Sequence, residues 1–334
     1  MLAVGTTRRA AERRMQQSPD PLDGPNALAS VIISNYNYAR FLPGAIGSVL
    51  RQTHPRVEVV VVDDGSTDDS RAIIAGYGDR VVPIYKQNGG LASSINAGVV
   101  ASRGEVICFL DADDLFHPEK VARVVRAFRA SPDAALVYHQ LQGVDPRDAR
   151  IGRPWPRAVW RGDIRARVER SGGWWPHPTT SALSFRRSFA ERLFPIPPPN
   201  RETYPDTFLA GPAAFVGPVI GLRAPLAHFR LHGDNMSYWG RQAAGDDPDQ
   251  AREKLRRNVE QYADELRRLE RTLAGHLGIS ASLSLDDHLP YQRYRRALGE
   301  GMSLARVVAL AARCPALPPS MRLVEAANVV LDRW

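Results

Sequence analysis

Two acidic clusters stand where apolar runs stop: Val59-Val60-Val61-Val62-Asp63-Asp64-Gly65-Ser66, and Val106-Ile107-Cys108-Phe109-Leu110-Asp111-Ala112-Asp113-Asp114. Carboxylates at the carboxyl ends of buried parallel strands collect in the crevice where open α/β sheets bind ligands. An Asp-x-Asp triplet adds hard oxygen ligands for a divalent cation, and residues i and i+2 of an extended chain point the same way. Asp113 is the first choice of metal ligand. Asp111 is placed at a ribose or at a metal-bound water, and Asp114 is either a second ligand or the cap of the next helix. The chemistry these residues suggest is a metal-assisted nucleotide site.

Elements that present these acids alternate along the chain. Strands are expected at Ser30 to Ser34, Val57 to Val62, Val81 to Lys86 and Glu105 to Leu110, with helices starting near Phe41, Asp68, Leu91 and Pro118. Such βαβ repetition, with Val and Ile runs apolar on both faces, predicts a mainly parallel sheet flanked by helices. Ser66 with Asp69 reads as an approximate helix cap, and Pro118 suits a first helical turn. Residues 1–28 read as a flexible leader without hydrophobic period. From Leu141 to Pro199 the period fades into Pro, Gly, Trp and Arg, a long irregular stretch expected to face an acceptor. Strands are expected at Val216 to Leu222 and Leu226 to Leu231. Leu255, Val259, Tyr262, Leu266, Leu269 and Leu273 recur at helical spacing, either folding back on their own domain or pairing a homodimer through the 250–275 helix. Two or three more helices follow Tyr291, punctuated by Pro315, Pro318 and Pro319.

The 334 residues, 44% hydrophobic and 24% charged, describe an ordinary globular chain, which excludes wholesale disorder. No window approaches the roughly 18 to 20 apolar residues of a bilayer span, and the first residues lack a signal-peptide core. The chain is therefore expected in the cytoplasm, with the inner face of a membrane left open as a peripheral contact. Two cysteines, Cys108 and Cys314, make no disulfide framework. The net charge of +8 comes from scattered arginines, for Lys86, Lys120 and Lys254 are the only lysines. Without zinc-finger, RNA-recognition or basic-zipper spacing, nucleic acid is excluded as a partner.

Read in order, Val31-Ile32-Ile33-Ser34-Asn35-Tyr36-Asn37, Val62-Asp63-Asp64-Gly65-Ser66-Thr67-Asp68, Asn88-Gly89-Gly90 with Asn96-Ala97-Gly98, and Leu110-Asp111-Ala112-Asp113-Asp114 resemble glycosyltransferase family 2. The resemblance implies a GT-A fold, Rossmann-like, over residues 29–240, with a nucleotide-sugar-binding half (29–130) and an acceptor or catalytic half (131–240). A helical extension, 241–334, would follow. It implies an inverting transferase moving one sugar from a nucleoside diphosphate sugar, a UDP-sugar first, to a saccharide or lipid-linked acceptor with Mn²⁺ or Mg²⁺. Polysaccharide or cell-envelope glycan synthesis is the implied setting.

Carried over by position, the resemblance puts Ser34, Tyr36, Asp64, Gly90, Asn96, Asp111 and Arg230 at the donor. Asp64 would accept from the uracil N–H; the residue types allow a plain turn instead. Tyr36 would stack on the base or pack in the core. Asp206, in Tyr204-Pro205-Asp206-Thr207-Phe208-Leu209, matches the second acid of the family's Glu-Asp-x-x-Leu segment and is the expected general base, or else a helix cap. Pro205 replaces the first acid, and Glu202 is a compensating carboxylate. His232, in Phe229-Arg230-Leu231-His232-Gly233-Asp234-Asn235, resembles a segment whose histidine approaches metal or diphosphate. Trp174, Trp175 and His177 are expected at an acceptor sugar, or else pack their loop.

The run Gln292-Arg293-Tyr294-Arg295-Arg296 lacks the tryptophan of the processive signature, which argues against polymer extrusion. A nucleotide-sugar-binding protein without transfer activity is the alternative, because Pro205 interrupts the base motif. A dinucleotide oxidoreductase is disfavoured, since the first strand runs into Ser34-Asn35-Tyr36-Asn37 with no G-x-G-x-x-G turn.

Overall fold

The computed structural model describes Leu22 and residues 27–196, 205–232 and 248–330. Its first half follows the expected alternation: β1 (Ala29–Asn35), α1 (Leu42–Leu50), β2 (Val57–Asp63), α2 (Ser70–Ala75), β3 (Val82–Tyr85), α3 (Leu91–Ala101) and β4 (Val106–Asp111). A short β5 (Leu115–Phe116) and α4 (Lys120–Arg129) follow. β3, β2, β1 and β4 lie side by side and parallel, with Ile33 opposite Val61 on one side and Leu110 on the other. Asn35, Asp63 and Asp111 therefore end their strands at one edge of the sheet.

Successive strand residues face opposite sides, and two cores result. Val31, Ile33, Val59 and Val61 pack with Ile46 of α1 and Phe128 of α4. Ile32, Val60 and Val62 pack with Ile95 of α3. Each such side chain, fully buried, contributes about 1.5–3 kcal/mol over leaving it exposed. That explains why a run of four valines makes a strand here.

The second half departs from expectation. Residues 141–196 are not an unstructured stretch: β6 (Leu136–Val144), β7 (Arg150–Trp155), β8 (Arg161–Gly162), α5 (Arg165–Glu169), β9 (Leu183–Arg186) and α6 (Arg187–Leu193) occupy about half of it. β7 is a mostly exposed edge strand, so its sequence carries no apolar period. The two strands expected over 216–231 are one, β10 (Val219–Arg230), whose register against β6 shifts around Pro225, and Val216 ends helix α7 (Pro205–Val216). Among the described residues the order is β3-β2-β1-β4-β9-β6-β10-β5, with β7 on β6 and β8 on β10. β9 runs antiparallel to both β4 and β6, so this half of the sheet is mixed while the first is parallel.

Helices α8 (Pro248–Gly275), α9 (Leu289–Ala297), α10 (Leu304–Arg313) and α11 (Pro319–Val330) follow. Leu273, Leu289, Val307 and Val329 join the same core as Tyr138 and Leu183, and Leu266 is also buried. The 255–273 seam is thus folded back on its own chain. Most of the expected leader lies outside the described residues, but Leu22 is fully buried beside Phe128, so the chain is anchored at that point.

Candidate active site

The turns after β1 and β2 are laced together. Asn35 Nδ2 donates to Asp63 Oδ1 and to Ser66 Oγ, both at 3.1 Å, and Ser66 Oγ also accepts the Asn37 N–H at 2.9 Å. The Thr67 N–H reaches Asn37 Oδ1 at 2.8 Å, and the Ala39 N–H reaches Asp68 Oδ2 at 2.9 Å. Ser66 ties two turns together and does not cap α2, whose first residue is Ser70. Arg71 Nε pairs with Asp63 at 3.0 Å.

Asp64, 3% exposed, holds the segment that follows β3. Its carboxylate accepts the Gly90 N–H at 2.7 Å, the Gly89 N–H at 3.0 Å and the Lys86 ammonium. Gly65 and Gly90 make this possible. Both have positive φ, and a side chain on Gly65 would run into the Asn88 backbone nitrogen at 2.8 Å. A cavity of about 480 Å³ opens here, lined by Gly65, Arg71, Tyr85, Lys86, Gln87 and Asn88. Arg71 lies over the Tyr85 ring at 5.7 Å. Sequence reasoning missed Arg71, Tyr85 and Lys86, although one of three lysines directly after a strand was a usable signal. Tyr36 is 47% exposed, so it is not a core residue, and Ser34 is half-buried opposite Asp111.

Asn96 has other partners than a ligand. Its Nδ2 donates to the Ile196 carbonyl at 2.7 Å and its Oδ1 accepts the Ile196 N–H at 2.8 Å. Both ends of the amide are engaged, and the residue ties α3 to the chain after α6.

The acidic triplet closes β4. The Ser181 hydroxyl accepts the Asp111 N–H at 3.1 Å, a contact that no motif announces. Asp113 Oδ2 lies 3.0 Å from His232 Nε2, and the imidazole packs against Phe41 with ring centres 4.8 Å apart. Asp114 Oδ1 accepts the Arg230 N–H at 3.0 Å, while its Oδ2 is buried with no hydrogen-bond partner among the described residues. Burial, then Asp113, then Asp206 push the Asp111 carboxyl up to about 8. Burial, Asp113 and Asp111 raise Asp114 as well. Arg230 does not stand free for a phosphate: Nε donates to the Asp113 carbonyl at 3.0 Å and Nη1 pairs with Asp148 at 2.8 Å. It braces the acidic turn.

These residues fit a divalent cation. Crowded carboxylates, one of them with an orphaned buried oxygen, beside an imidazole are donors that Mn²⁺ or Mg²⁺ accepts. Among the described residues no group of three or more His, Cys, Asp or Glu could hold a metal ion, so Asp113 and His232 would need substrate phosphates and waters to complete a shell.

Asp206 sits in the first turn of α7, half-buried. Burial raises its carboxyl, with His177 and the backbone N–H groups of Asp206 and Thr207 opposing. His177 is lowered by burial against the pull of Asp206, and its Nδ1 lies 3.1 Å from the Pro178 carbonyl. The charge of Asp206 thus bears on both His177 and Asp111. Trp174 keeps part of its surface exposed. Trp175 does not: at 1% exposure it packs edge-on to Tyr138, ring centres 5.4 Å apart, so the structure places it in the core and not at an acceptor. Glu202 and Asn235 lie outside the described residues.

Residues 30–194 match the family model described as glycosyl transferase family 2. An uncharacterized glycosyltransferase of a Nostoc species is 42% identical over 211 residues, 62% of this chain and 65% of that protein. A hyaluronan synthase of Pasteurella multocida is 36% identical over 134 residues, 39% of this chain and 14% of the synthase. The chain thus spans less than two thirds of the length of these relatives. Among solved structures, S. aureus TarS with UDP-GlcNAc is similar with a TM-score of 0.53 at 18% identity, over 92% of this chain and 93% of that one. A mannosyltransferase of Pyrobaculum calidifontis with GDP-Man and Mn²⁺ gives a TM-score of 0.50 at 18% identity, over 98% and 95%. The fold is the GT-A fold of those structures, and the chain belongs to glycosyl transferase family 2.

Proposed function

We propose that this chain is an inverting glycosyltransferase that moves one sugar from a nucleoside diphosphate sugar, UDP-linked, to a hydroxyl of a saccharide or lipid-linked acceptor. One observation carries the reading. The charge of Asp206, in the first turn of α7, bears on Asp111 at the end of β4, which supports a candidate base beside the candidate donor site. UDP-GlcNAc and GDP-Man in the similar structures support a nucleotide-sugar donor.

In this reading the base and ribose lie along the cavity beside Asp64, Tyr36 and Ser34 add contacts to them, and Asp111 faces the ribose. Asp113 and His232 would hold the cation, which supplies positive charge where the departing diphosphate gains negative charge. Arg230 keeps the acidic turn in place. Asp206 takes the proton of the attacking acceptor hydroxyl. The new bond forms from that oxygen to the anomeric carbon, while the bond to the diphosphate breaks with its electron pair on phosphate. Attack opposite the leaving group inverts the anomeric centre.

No helix among the described residues is long and apolar enough to cross a membrane, so a lipid-linked acceptor would have to be met at a surface. The test is a screen of nucleotide sugars for release of free nucleotide with Mn²⁺ present and with chelator. A chain that releases nucleotide from none of them is not this enzyme.

A further inference from the structure

Helices α10 and α11 pack against each other, and each is already seated on the domain by one face. Val307 and Ala311 of α10 and Val329 of α11 are buried in the core that holds Tyr138 and Leu183. The link between the two helices is tied down as well: Trp160 Nε1 donates to the Ala316 carbonyl at 2.9 Å, and the Ala316 N–H donates to Ser171 Oγ at 3.1 Å. A surface helix fixed in this way ordinarily turns a polar face to water.

These two do not. Leu323, Ala327 and Val330 recur at steps of four and three, with Val324 beside them, on the side of α11 away from Val329, and none of the exposed residues of α11 is charged. Leu323 is 74% exposed, Val330 56% and Val324 54%. On α10, Leu304, Ala305, Ala309 and Ala312 are exposed in the same way. Of the nine large apolar side chains exposed among the described residues, four lie on these two helices, so the exposure is concentrated and not scattered.

The charge around this face has one sign. From Leu289 to Val330 the sequence holds six arginines and two acids, and both acids are engaged within the segment, Glu325 with Arg293 and Glu300 with Arg295 at 3.8 Å. Arg306 and Arg313, both exposed and seven residues apart, share one edge of α10 and border its apolar side.

We propose that α10 and α11 form a membrane-docking surface, which lays Leu304, Leu323, Val324 and Val330 into the headgroup region of an anionic bilayer with Arg306 and Arg313 on lipid phosphates. A bilayer accepts an apolar helix face of modest size and favours basic residues beside it. A second copy of the chain fits less well. Four large side chains fall short of the about 20–30 residues a side of a standard protein interface, and a two-fold contact sets the same patch against itself, which brings the arginines of both copies together. The proposal does not depend on the transfer reading, since none of these residues belongs to the candidate active site.

The test is flotation of the full chain with vesicles of phosphatidylcholine alone and of an equimolar mixture of phosphatidylcholine and phosphatidylglycerol, with light scattering on the same preparations. Wild type should float with the mixed vesicles and much less with the neutral ones. Leu323→Glu combined with Val330→Glu should lower the partition coefficient by at least about 10-fold. Arg306→Gln combined with Arg313→Gln should lower it about 5-fold per arginine. Far-UV spectra, Tm and nucleotide release should stay as in wild type, because the changed side chains are exposed. Should the glutamate pair lower Tm, the arginine pair decides. No flotation of wild type with the mixed vesicles overturns the proposal, as does unmoved flotation of the arginine pair. A wild-type dimer that the glutamate pair converts to a monomer, without flotation, assigns the face to a second copy and overturns it too.

Discussion

Replacing Asp206 with Asn separates chemistry from architecture more cleanly than any other change at this site. The amide keeps the size of the side chain at the first turn of α7 but cannot take a proton from an acceptor hydroxyl. General-base loss costs about 10²–10⁴-fold in turnover, which at about 1.36 kcal/mol per tenfold is about 3–5 kcal/mol of barrier. Stability should move the other way. The folded-state pKa of Asp206 is raised, so ionising it above the ordinary carboxylate range works against the fold, and folding favours the protonated form as pH falls. A neutral amide removes that penalty, so the variant should be at least as stable as wild type at pH 7. Donor affinity should also persist, because the proposed metal ligands are untouched. Nucleotide release, donor binding by calorimetry and thermal unfolding, run on one preparation, measure all three. Turnover within about 3-fold of wild type would refute the base assignment. A lowered Tm with lost donor binding would show that the side chain is structural.

Further outcomes can be checked in the same assays. Asp113→Ala should abolish the Mn²⁺-dependent part of donor binding while leaving the far-UV spectrum intact; unchanged metal dependence would remove it from the ligand set. Gly98→Ala should destabilise by about 1–3 kcal/mol, because the added carbon would sit 2.3 Å from Ile32 Cγ2 in the core, and chemical denaturation would read the loss. Asn96→Ala removes both hydrogen bonds to Ile196, at about 1 kcal/mol each, and should lower Tm without changing donor affinity; weakened donor binding at unchanged Tm would restore it to the donor site.

The parallel half of the fold was legible because it obeys a local rule. Val59–Val62 and Val106–Leu110 are apolar on both faces, and an acid stands where each run stops. The mixed half was not legible, because its strands are defined by partners distant in the chain. Arg150–Trp155 is a strand only because β6 lies beside it, and the two apolar runs around Pro225 look separate until β6 holds them in one line. Site residues divide in the same way. Asp111, Asp113, His232 and Asp206 are named by motif, and the structure brings Asp113 to His232 and Asp206 to the neighbourhood of Asp111. Asn96 and Arg230 sit in the same motifs, yet backbone groups claim their side chains, and no spacing rule announces that. Trp175 failed for the commonest reason, an aromatic ring whose burial depends on Tyr138.

β9 carries a last implication. Because it is wedged antiparallel between β4 and β6, the two halves of the sheet are stitched through side chains as well as backbone: Lys120 Nζ donates to Ser184 Oγ at 3.0 Å, and Arg187 reaches the Gly104 carbonyl at 2.6 Å and Ser102 Oγ at 2.9 Å. Chimeras that graft the parallel half of one homologue onto the remainder of another would sever every one of these stitches. A workable crossover must inherit Ser181, Ser184 and Arg187 together with β4, so exchanging the parallel half demands co-transplanting a strand from the opposite side.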